Sequence, residues 1–179
     1  MQVVTSKRPM VLFCSLALIF ALWVTVSIAK EHTEIAGKMT ITYTKQEKID
    51  VGDTEEHIIS LSQGEGTNVS TGEHTFMDGA QLVNVSFGDL VGGNGPHQGY
   101  VKLVKEDDIV FAKWKGEVTT TLSAEDTPVV TFEGSFSYIN GTGQFENIQG
   151  GGSYKGGFTS KTTYTVEWEG EYSIKEVRE

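Results

Sequence analysis

One glycine-rich segment, residues 89–100, concentrates side chains that could hold a small molecule. It contains Asn94, His97, Gln98 and Tyr100, and it joins two strand-like runs. Amide and phenol groups donate and accept hydrogen bonds, and a histidine can exchange a proton near neutral pH. Because loops at the rim of a rigid barrel commonly display such groups, we predict that these four side chains belong to a ligand site. The alternative is an exposed, flexible loop.

Aromatic side chains with polar tips form a second group of candidates. They recur on the apolar face of the strand patterns described below, and phenol and indole groups need a hydrogen-bond partner once they are buried. Several such tips facing one interior indicate a ligand or water there, whereas the alternative is a packed core. The predicted ligand-binding lining consists of Tyr43, Trp114, Phe136, Tyr138, Tyr164 and Trp168, and Phe132 and Tyr172 share the same face.

Motifs for other kinds of chemistry are absent from the sequence. The four histidines lack the spacings of metal ligands, and there is no Gly-x-Ser-x-Gly elbow and no glycine-rich loop that opens a helix. We therefore expect no metal and no cofactor, and we favour a binding protein over an enzyme.

Glu167, Glu169 and Glu171 are spaced about 7 Å apart, as in an inverting glycosidase. Three carboxylates in a row opposite an apolar face nevertheless indicate a solvated outer surface.

The elements that must position these side chains are predicted to be β-strands. Residues 162–174 show the clearest pattern, because apolar and ring-bearing residues alternate with Thr, Glu and Ser. Successive side chains of a strand point to opposite sides of a sheet, so this strand has one dry face and one wet, acidic face. No stretch after Lys30 has a sustained helical period. The predicted strands are residues 38–48, 57–62, 80–87, 99–105, 109–118, 129–139, 152–158 and 162–174, with the polar residues 63–72 between the second and the third.

Eight strands of this kind favour a closed antiparallel barrel over a two-layer sandwich. Eight is the number at which a closed sheet is just filled by side chains or holds one small ligand. Gly116, Gly134 and Gly170 lie on the apolar face of three strands, where glycine marks the bends that closure requires. Closure also removes the sheet edges that would otherwise promote aggregation. We therefore predict an all-β, eight-stranded antiparallel β-barrel.

The N-terminus reads as an export signal. Lys7 and Arg8 precede an uncharged, largely apolar run over residues 9–29, which ends with Ser27-Ile28-Ala29. These are the three parts of a secretory signal peptide, and an uncleaved membrane anchor is the alternative. We expect a secreted or periplasmic protein without stable membrane association after cleavage. The predicted parts are a signal peptide over residues 1–29, an N-terminal segment over 30–36 and a single β-barrel domain over 37–179.

The exported part is acidic and free of cysteine. All 24 acidic residues but only 12 of the 14 basic residues follow Ala29, which gives this part a net charge of −12. Such a charge argues against nucleic acid and anionic membranes as partners. The single cysteine, Cys14, lies in the predicted signal segment, so the core alone must stabilise the domain. Three Asn-x-Ser/Thr triplets, at Asn68, Asn84 and Asn140, are acceptor motifs for N-glycosylation in a eukaryotic secretory pathway.

Residues 132–151 resemble the turn segment of the allene oxide cyclase-like and dirigent-like barrels. In those families a strand runs into a Gly-(Ser/Thr)-Gly-x-Phe turn, a short connection, a further glycine and the next strand. The resemblance implies an eight-stranded barrel, and we expect Gly141 and Gly143 to adopt positive φ angles and Phe145 to close one end of it. The corresponding positions of this chain are Gly141, Thr142, Gly143, Phe145 and Gly150.

The resemblance also bears on activity. Allene oxide cyclases steer the cyclisation of a fatty-acid epoxide and dirigent proteins steer the radical coupling of phenols, both by constraining a guest in a cavity without a cofactor. Barrels of this shape often trimerise, so a homo-oligomer is one alternative for the assembly.

Three functions are consistent with these observations. The first is non-catalytic binding of a small apolar or phenolic molecule in the lumen, and the second is a cofactor-free isomerase or cyclase. The third is a structural or interaction module with a packed barrel. A cavity above about 300 Å³ would favour the first two.

Overall fold

The structure is a computed structural model that describes residues 32–176. The predicted signal peptide lies outside the described residues. Within them, no helix is long and apolar enough to cross a membrane. The strands are β1 (Thr33–Asp50), β2 (His57–Ser70), β3 (Gln81–Val91), β4 (Gly95–Lys105), β5 (Asp108–Leu122), β6 (Pro128–Gly141), β7 (Ile148–Phe158) and β8 (Thr163–Ile174), and a short 3₁₀ turn, Gly143–Phe145, precedes β7.

The eight strands form one closed antiparallel barrel, which confirms the predicted fold. Each strand pairs with the next along the chain, and β1 closes the sheet by pairing with β8 from Thr33↔Tyr172 to Thr42↔Thr163. Every strand is therefore hydrogen-bonded to a neighbouring strand on both sides. Register shifts interrupt two ladders, after Tyr43 in β1 and after Phe111 in β5.

The two ends of the barrel differ because of the connections they carry. Residues 71–80 and 142–147, together with the start of β1, lie at one end, which we call the closed end. The connections 51–56, 92–94, 123–127 and 159–162 lie at the other, which we call the open end.

Phe76, on the connection from β2 to β3, fills the closed end. Its side chain is only 2% exposed, and its ring centroid lies 5.1 Å from that of Phe145 and 5.2 Å from that of Tyr172. The Ser70 hydroxyl holds the connection by accepting a hydrogen bond from the Phe76 amide at 2.8 Å. Phe145 thus lies at the closed end as expected. Phe76 fills the same end, and the periodicity of the sequence did not predict its position there.

The strands are longer than predicted, most of all β2. Residues 63–70 belong to β2 instead of a polar connection, because β1 and β3 both need a partner along their full length in a closed sheet. Likewise β1 starts at Thr33, within the predicted N-terminal segment. The expectation of positive φ holds for Gly143, at 61°, and not for Gly141. Gly141 is required for space instead, because a Cβ there would overlap the Phe145 carbonyl.

Candidate functional site

The barrel interior contains a cavity of about 330 Å³ between Phe76 and the open end. Its lining combines aromatic and aliphatic side chains from the strands with a few polar tips. Glu47, Lys48 and Glu56 surround its mouth, where all three are exposed. The interior is therefore not filled by its own side chains, and its volume is within the range of small-molecule sites.

Two tryptophans border the cavity without filling it, because each lies over a glycine of the neighbouring strand. Trp168 of β8 pairs with Gly37 of β1, and Trp114 of β5 pairs with Gly99 of β4. A Cβ at Gly99 would lie 2.5 Å from Trp114 Cζ2, and one at Gly37 would overlap the Trp168 ring. Each ring thus occupies the space of a missing side chain on the barrel wall, which leaves the barrel axis free.

Tyr154 of β7, the cross-strand neighbour of Trp168, follows the same arrangement and pairs with Gly134 of β6. A Cβ atom at Gly116 or at Gly134 would lie only 2.6 Å from the Tyr154 hydroxyl oxygen. These are two of the inward glycines that the sequence pattern singled out, and their function here is to make room for a ring.

The first of two buried amides, Asn68, has a structural environment. It is fully buried, and its Oδ1 accepts a hydrogen bond from Trp168 Nε1 at 3.0 Å. Its Nδ2 donates to the carbonyls of Phe76 at 3.1 Å and Met77 at 2.9 Å. Asn68 therefore fixes the loop that closes the barrel, and its hydrogen-bonding capacity is used within the fold.

The second buried amide, Asn84, faces the cavity from β3. Its Oδ1 accepts a hydrogen bond from Trp114 Nε1 at 2.9 Å, and its Nδ2 donates to the Tyr164 hydroxyl at 3.0 Å. Tyr164 stands on β8, so this bond crosses the interior. Close by, the hydroxyls of Ser62 and Ser86 lie 2.6 Å apart.

A histidine–tyrosine pair provides a further polar group of the lining. His97 Nε2 and the Tyr154 hydroxyl lie 3.0 Å apart, and the imidazole ring packs 4.8 Å from Trp114 and 5.7 Å from Phe132. Burial lowers the pKa of His97 to about 4, because the charged form loses hydration among these rings. His97 is therefore neutral at physiological pH.

The phenols of the cavity are neutral as well. Burial raises the pKa of Tyr43, Tyr154 and Tyr164, and that of Tyr138 is raised by burial and, secondarily, by the neighbouring Tyr172. Among the described residues that line the cavity, those in its deep part therefore offer uncharged hydrogen-bonding groups in an apolar wall, and the charged ones surround its mouth.

A second histidine, His57, links two elements of the open end. Its Nδ1 lies 2.5 Å from Asp53 Oδ1 on the connection between β1 and β2, and its Nε2 lies 2.7 Å from Asp89 Oδ1 on β3. Both bonds need a protonated nitrogen, so they are complete in the imidazolium form. The Asp89 and Asp53 carboxylates raise the pKa of His57, and His57 in turn lowers that of Asp53.

Seven of the ten predicted site residues meet at the cavity. They are Tyr43, His97, Trp114, Phe136, Tyr138, Tyr164 and Trp168.

The other three predicted residues lie elsewhere, because residues 89–100 do not form the predicted rim loop. Only residues 92–94 separate β3 from β4, so strand alternation places His97 inside and Gln98 and Tyr100 outside. Tyr100 is 51% exposed, and Lys113 Nζ lies 5.8 Å from its ring centroid. Asn94 stabilises the turn, since its Oδ1 accepts a hydrogen bond from the Thr120 amide at 2.8 Å.

Asn84, Ser86 and Tyr154 were not predicted as site residues. Asn84 and Ser86 belong to a strand in which Val83, Val85 and Phe87 alternate with them, and the structure turns the polar set inward. The one sequence signal was that Asn84, a polar residue, lies inside a strand pattern, but its Asn-x-Ser triplet is also a glycosylation motif.

Comparisons with known proteins find matches among solved structures. No protein-family model and no curated protein matches the chain. Among solved structures, two pterocarpan synthase dirigent proteins match with TM-scores of 0.44, at 10% and 9% identity; they cover 82% and 91% of this chain and 97% and 98% of their own. A protein of unknown function of the DUF3224 family from Shewanella oneidensis matches at 13% identity with a TM-score of 0.43, covering 82% of this chain and 100% of its own.

A pyocyanin demethylase also matches, at 12% identity and a TM-score of 0.40, over 74% of this chain and 98% of its own. Dirigent proteins, whose turn segment the sequence resembles, are thus among the matched structures. None of these matches assigns an activity to this chain.

Proposed function

We propose that this protein binds a small apolar or phenolic molecule in the lumen of the barrel, without a cofactor. The observation that carries the proposal is the cavity of about 330 Å³ that opens at one end of the barrel. A packed interaction module would have no reason to keep this volume free, since empty apolar space lowers stability. The proposal includes export through the N-terminal signal, so the guest would be met outside the cytoplasm.

The chemistry of the wall supports an uncharged guest. A carboxylate or an ammonium group would lose its hydration among rings and find no opposite charge deep in the cavity. A planar apolar molecule would instead bury its surface against Trp114, Phe136 and Trp168, at about 25 cal/mol per Å².

Native mass spectrometry of the protein purified from its own host tests the proposal. We expect a co-purified small molecule whose mass is lost on denaturation, in a stoichiometry of at most one per barrel. A guest-free protein that also fails to bind a panel of neutral aromatic compounds would contradict it.

A pair of variants on β6 provides a matched control. Val130 lines the cavity and Val129, its neighbour, faces solvent and is 43% exposed. We expect Val130→Trp to abolish guest binding by filling the mouth, and Val129→Trp to leave it unchanged. Calorimetric titration of both folded variants measures the difference, and equal binding would place the guest outside the lumen.

The pair of His97 and Tyr154 favours a second candidate, a cofactor-free isomerase or cyclase. A phenol and a neutral imidazole 3.0 Å apart on a lumen wall can transfer a proton without a metal. If the co-purified molecule is converted by the protein, His97→Gln should slow the conversion by about 10²-fold or more. Unchanged turnover in that variant would exclude the pair as acid or base.

A further inference from the structure

The two buried amides differ in how their hydrogen-bond networks end. The Asn68 network runs from Trp168 through the amide to two backbone carbonyls, so each donor meets an acceptor that has no hydrogen of its own. The Asn84 network runs from Trp114 through the amide to a phenol oxygen, and a phenol carries a hydrogen that must itself be donated.

The direction of the Asn84 network is fixed by chemistry. An indole N–H can only donate, so Trp114 requires the oxygen of Asn84 and leaves the amide nitrogen for Tyr164. The Tyr164 oxygen accepts this bond, and its own O–H has no acceptor among residues 32–176. The side chain is 6% exposed and borders the cavity, so this donor is withdrawn from bulk water and available to a guest.

We propose that the Tyr164 hydroxyl is the anchor of the lumen and that the guest carries a neutral acceptor oxygen, such as a carbonyl, which receives its hydrogen. This assignment rests on the proposed binding function and specifies the class of guest. A buried donor without a partner costs free energy, and a carbonyl guest removes that cost when it binds.

The surrounding groups strengthen this donor. The hydrogen bond from Asn84 polarises the phenol, because bonds in a chain reinforce one another in an apolar interior. Burial raises the pKa of Tyr164, so it retains its hydrogen at neutral pH. Ser62 and Ser86, by contrast, hydrogen-bond to each other.

Two probes of matched shape test the proposal. 2-Acetylnaphthalene carries a carbonyl oxygen where 2-isopropenylnaphthalene carries a methylene group. We expect wild-type protein to bind the ketone about fivefold more tightly, the value of one hydrogen bond between neutral groups. Tyr164→Phe should remove this preference and leave the affinity for the alkene unchanged.

Tyr100→Phe is the matched control, because it removes the same hydroxyl from the outer face. It should retain the full preference for the ketone. Since Tyr164→Phe could lose the fold, a second readout uses wild-type protein alone: the carbonyl stretch of the bound ketone should shift to lower frequency than in hexane.

The outcomes separate this proposal from the binding function. If neither probe binds, the lumen is not a site for such guests and the proposed function fails. If both bind equally and the carbonyl stretch matches that in hexane, the lumen binds guests but Tyr164 is not their anchor.

Discussion

Two histidines of the barrel respond to pH in opposite directions because their neighbours differ. His97 is surrounded by Trp114, Phe132 and Tyr154, where a charge is poorly solvated. His57 lies between two carboxylates, where a charge completes both hydrogen bonds. Burial thus lowers the pKa of the first, and ion pairing raises that of the second.

We expect His97 to make the fold sensitive to acid. Between pH 6.5 and about 4 the unfolded chain binds a proton at this position and the folded chain does not, so stability falls as pH decreases. His97→Gln should therefore lose less stability than the wild type over this window. Urea denaturation between pH 7 and pH 4, followed by tryptophan fluorescence, measures the slopes, and parallel slopes would contradict the prediction.

His57 should show the reverse dependence. Because its folded pKa is raised, its stabilising contribution is fully present below pH 6.5 and is lost as pH rises through the folded pKa. His57→Gln keeps an amide donor but cannot gain a charge. Its deficit relative to the wild type should be largest at pH 6 and shrink toward pH 9, whereas a deficit independent of pH would show that the charge does not contribute.

At the scale of the strands, glycines determine where rings can lie. Trp114, Trp168 and Tyr154 each occupy space over a glycine of a nearby strand, so a wall with many aromatic residues encloses a free volume. On β3, Asn84 and Ser86 share the inner face with Leu82 and Leu90, while Val83 and Val85 face outward. A barrel interior built in this way can present hydrogen-bonding groups without losing its aromatic lining.

Gly116→Ala tests this arrangement. The new Cβ would overlap the Glu133 carbonyl and lie 2.6 Å from the Tyr154 hydroxyl, so we expect a destabilisation of about 1–3 kcal/mol. Gly157→Ala is the control, because its nearest heavy atom would be 3.3 Å away, and it should cost about 0.5 kcal/mol. Equal midpoints of urea unfolding would show that space at Gly116 is not limiting.

The strand patterns predicted the sheet better than they predicted the site. The alternation in β8 correctly placed Tyr164 and Trp168 inside, because an apolar face is visible in the sequence. The same criterion failed for Asn68 and Asn84, since periodicity identifies buried apolar side chains and not polar ones whose partners are distant in sequence. Trp168 lies 100 residues from Asn68, and no local rule connects the two.

The other difference between the predicted and the observed structure concerns the turn between β3 and β4. Glycines and an asparagine between residues 92 and 95 indicated a long rim loop, but they form only the tight turn that Thr120 secures. The position of Phe76 could not be predicted either, because its connection lacks a regular period and is folded by Asn68 and Ser70.

At the scale of the molecule, the barrel has one sealed and one accessible end. Phe76 lies among Tyr138, Phe145, Trp168 and Tyr172 at the closed end. Phe158 lies near the open end, where it contacts Tyr43, Phe132 and Tyr164 and remains 37% exposed. A phenylalanine at the closed end should therefore contribute more to stability than one at the open end.

We expect Phe76→Ala to lower the free energy of unfolding by about 3–5 kcal/mol, because it removes a fully buried ring from the sealed end. Phe158→Ala should cost about 1–2 kcal/mol, since part of its ring is already hydrated. Thermal and urea denaturation of both variants provide the comparison. Equal losses would mean that the closed end is no more tightly packed than the mouth.

The inward orientation of Asn68 and Asn84 has a consequence for producing the protein. Both begin Asn-x-Ser triplets, and both amides lie inside the barrel, bonded to Trp168 and Trp114. An oligosaccharide attached to either nitrogen while the chain is still unfolded would be too large for the interior, and strand closure could not follow. Yeast or animal secretion systems should therefore yield sugar-bearing, misfolded chains.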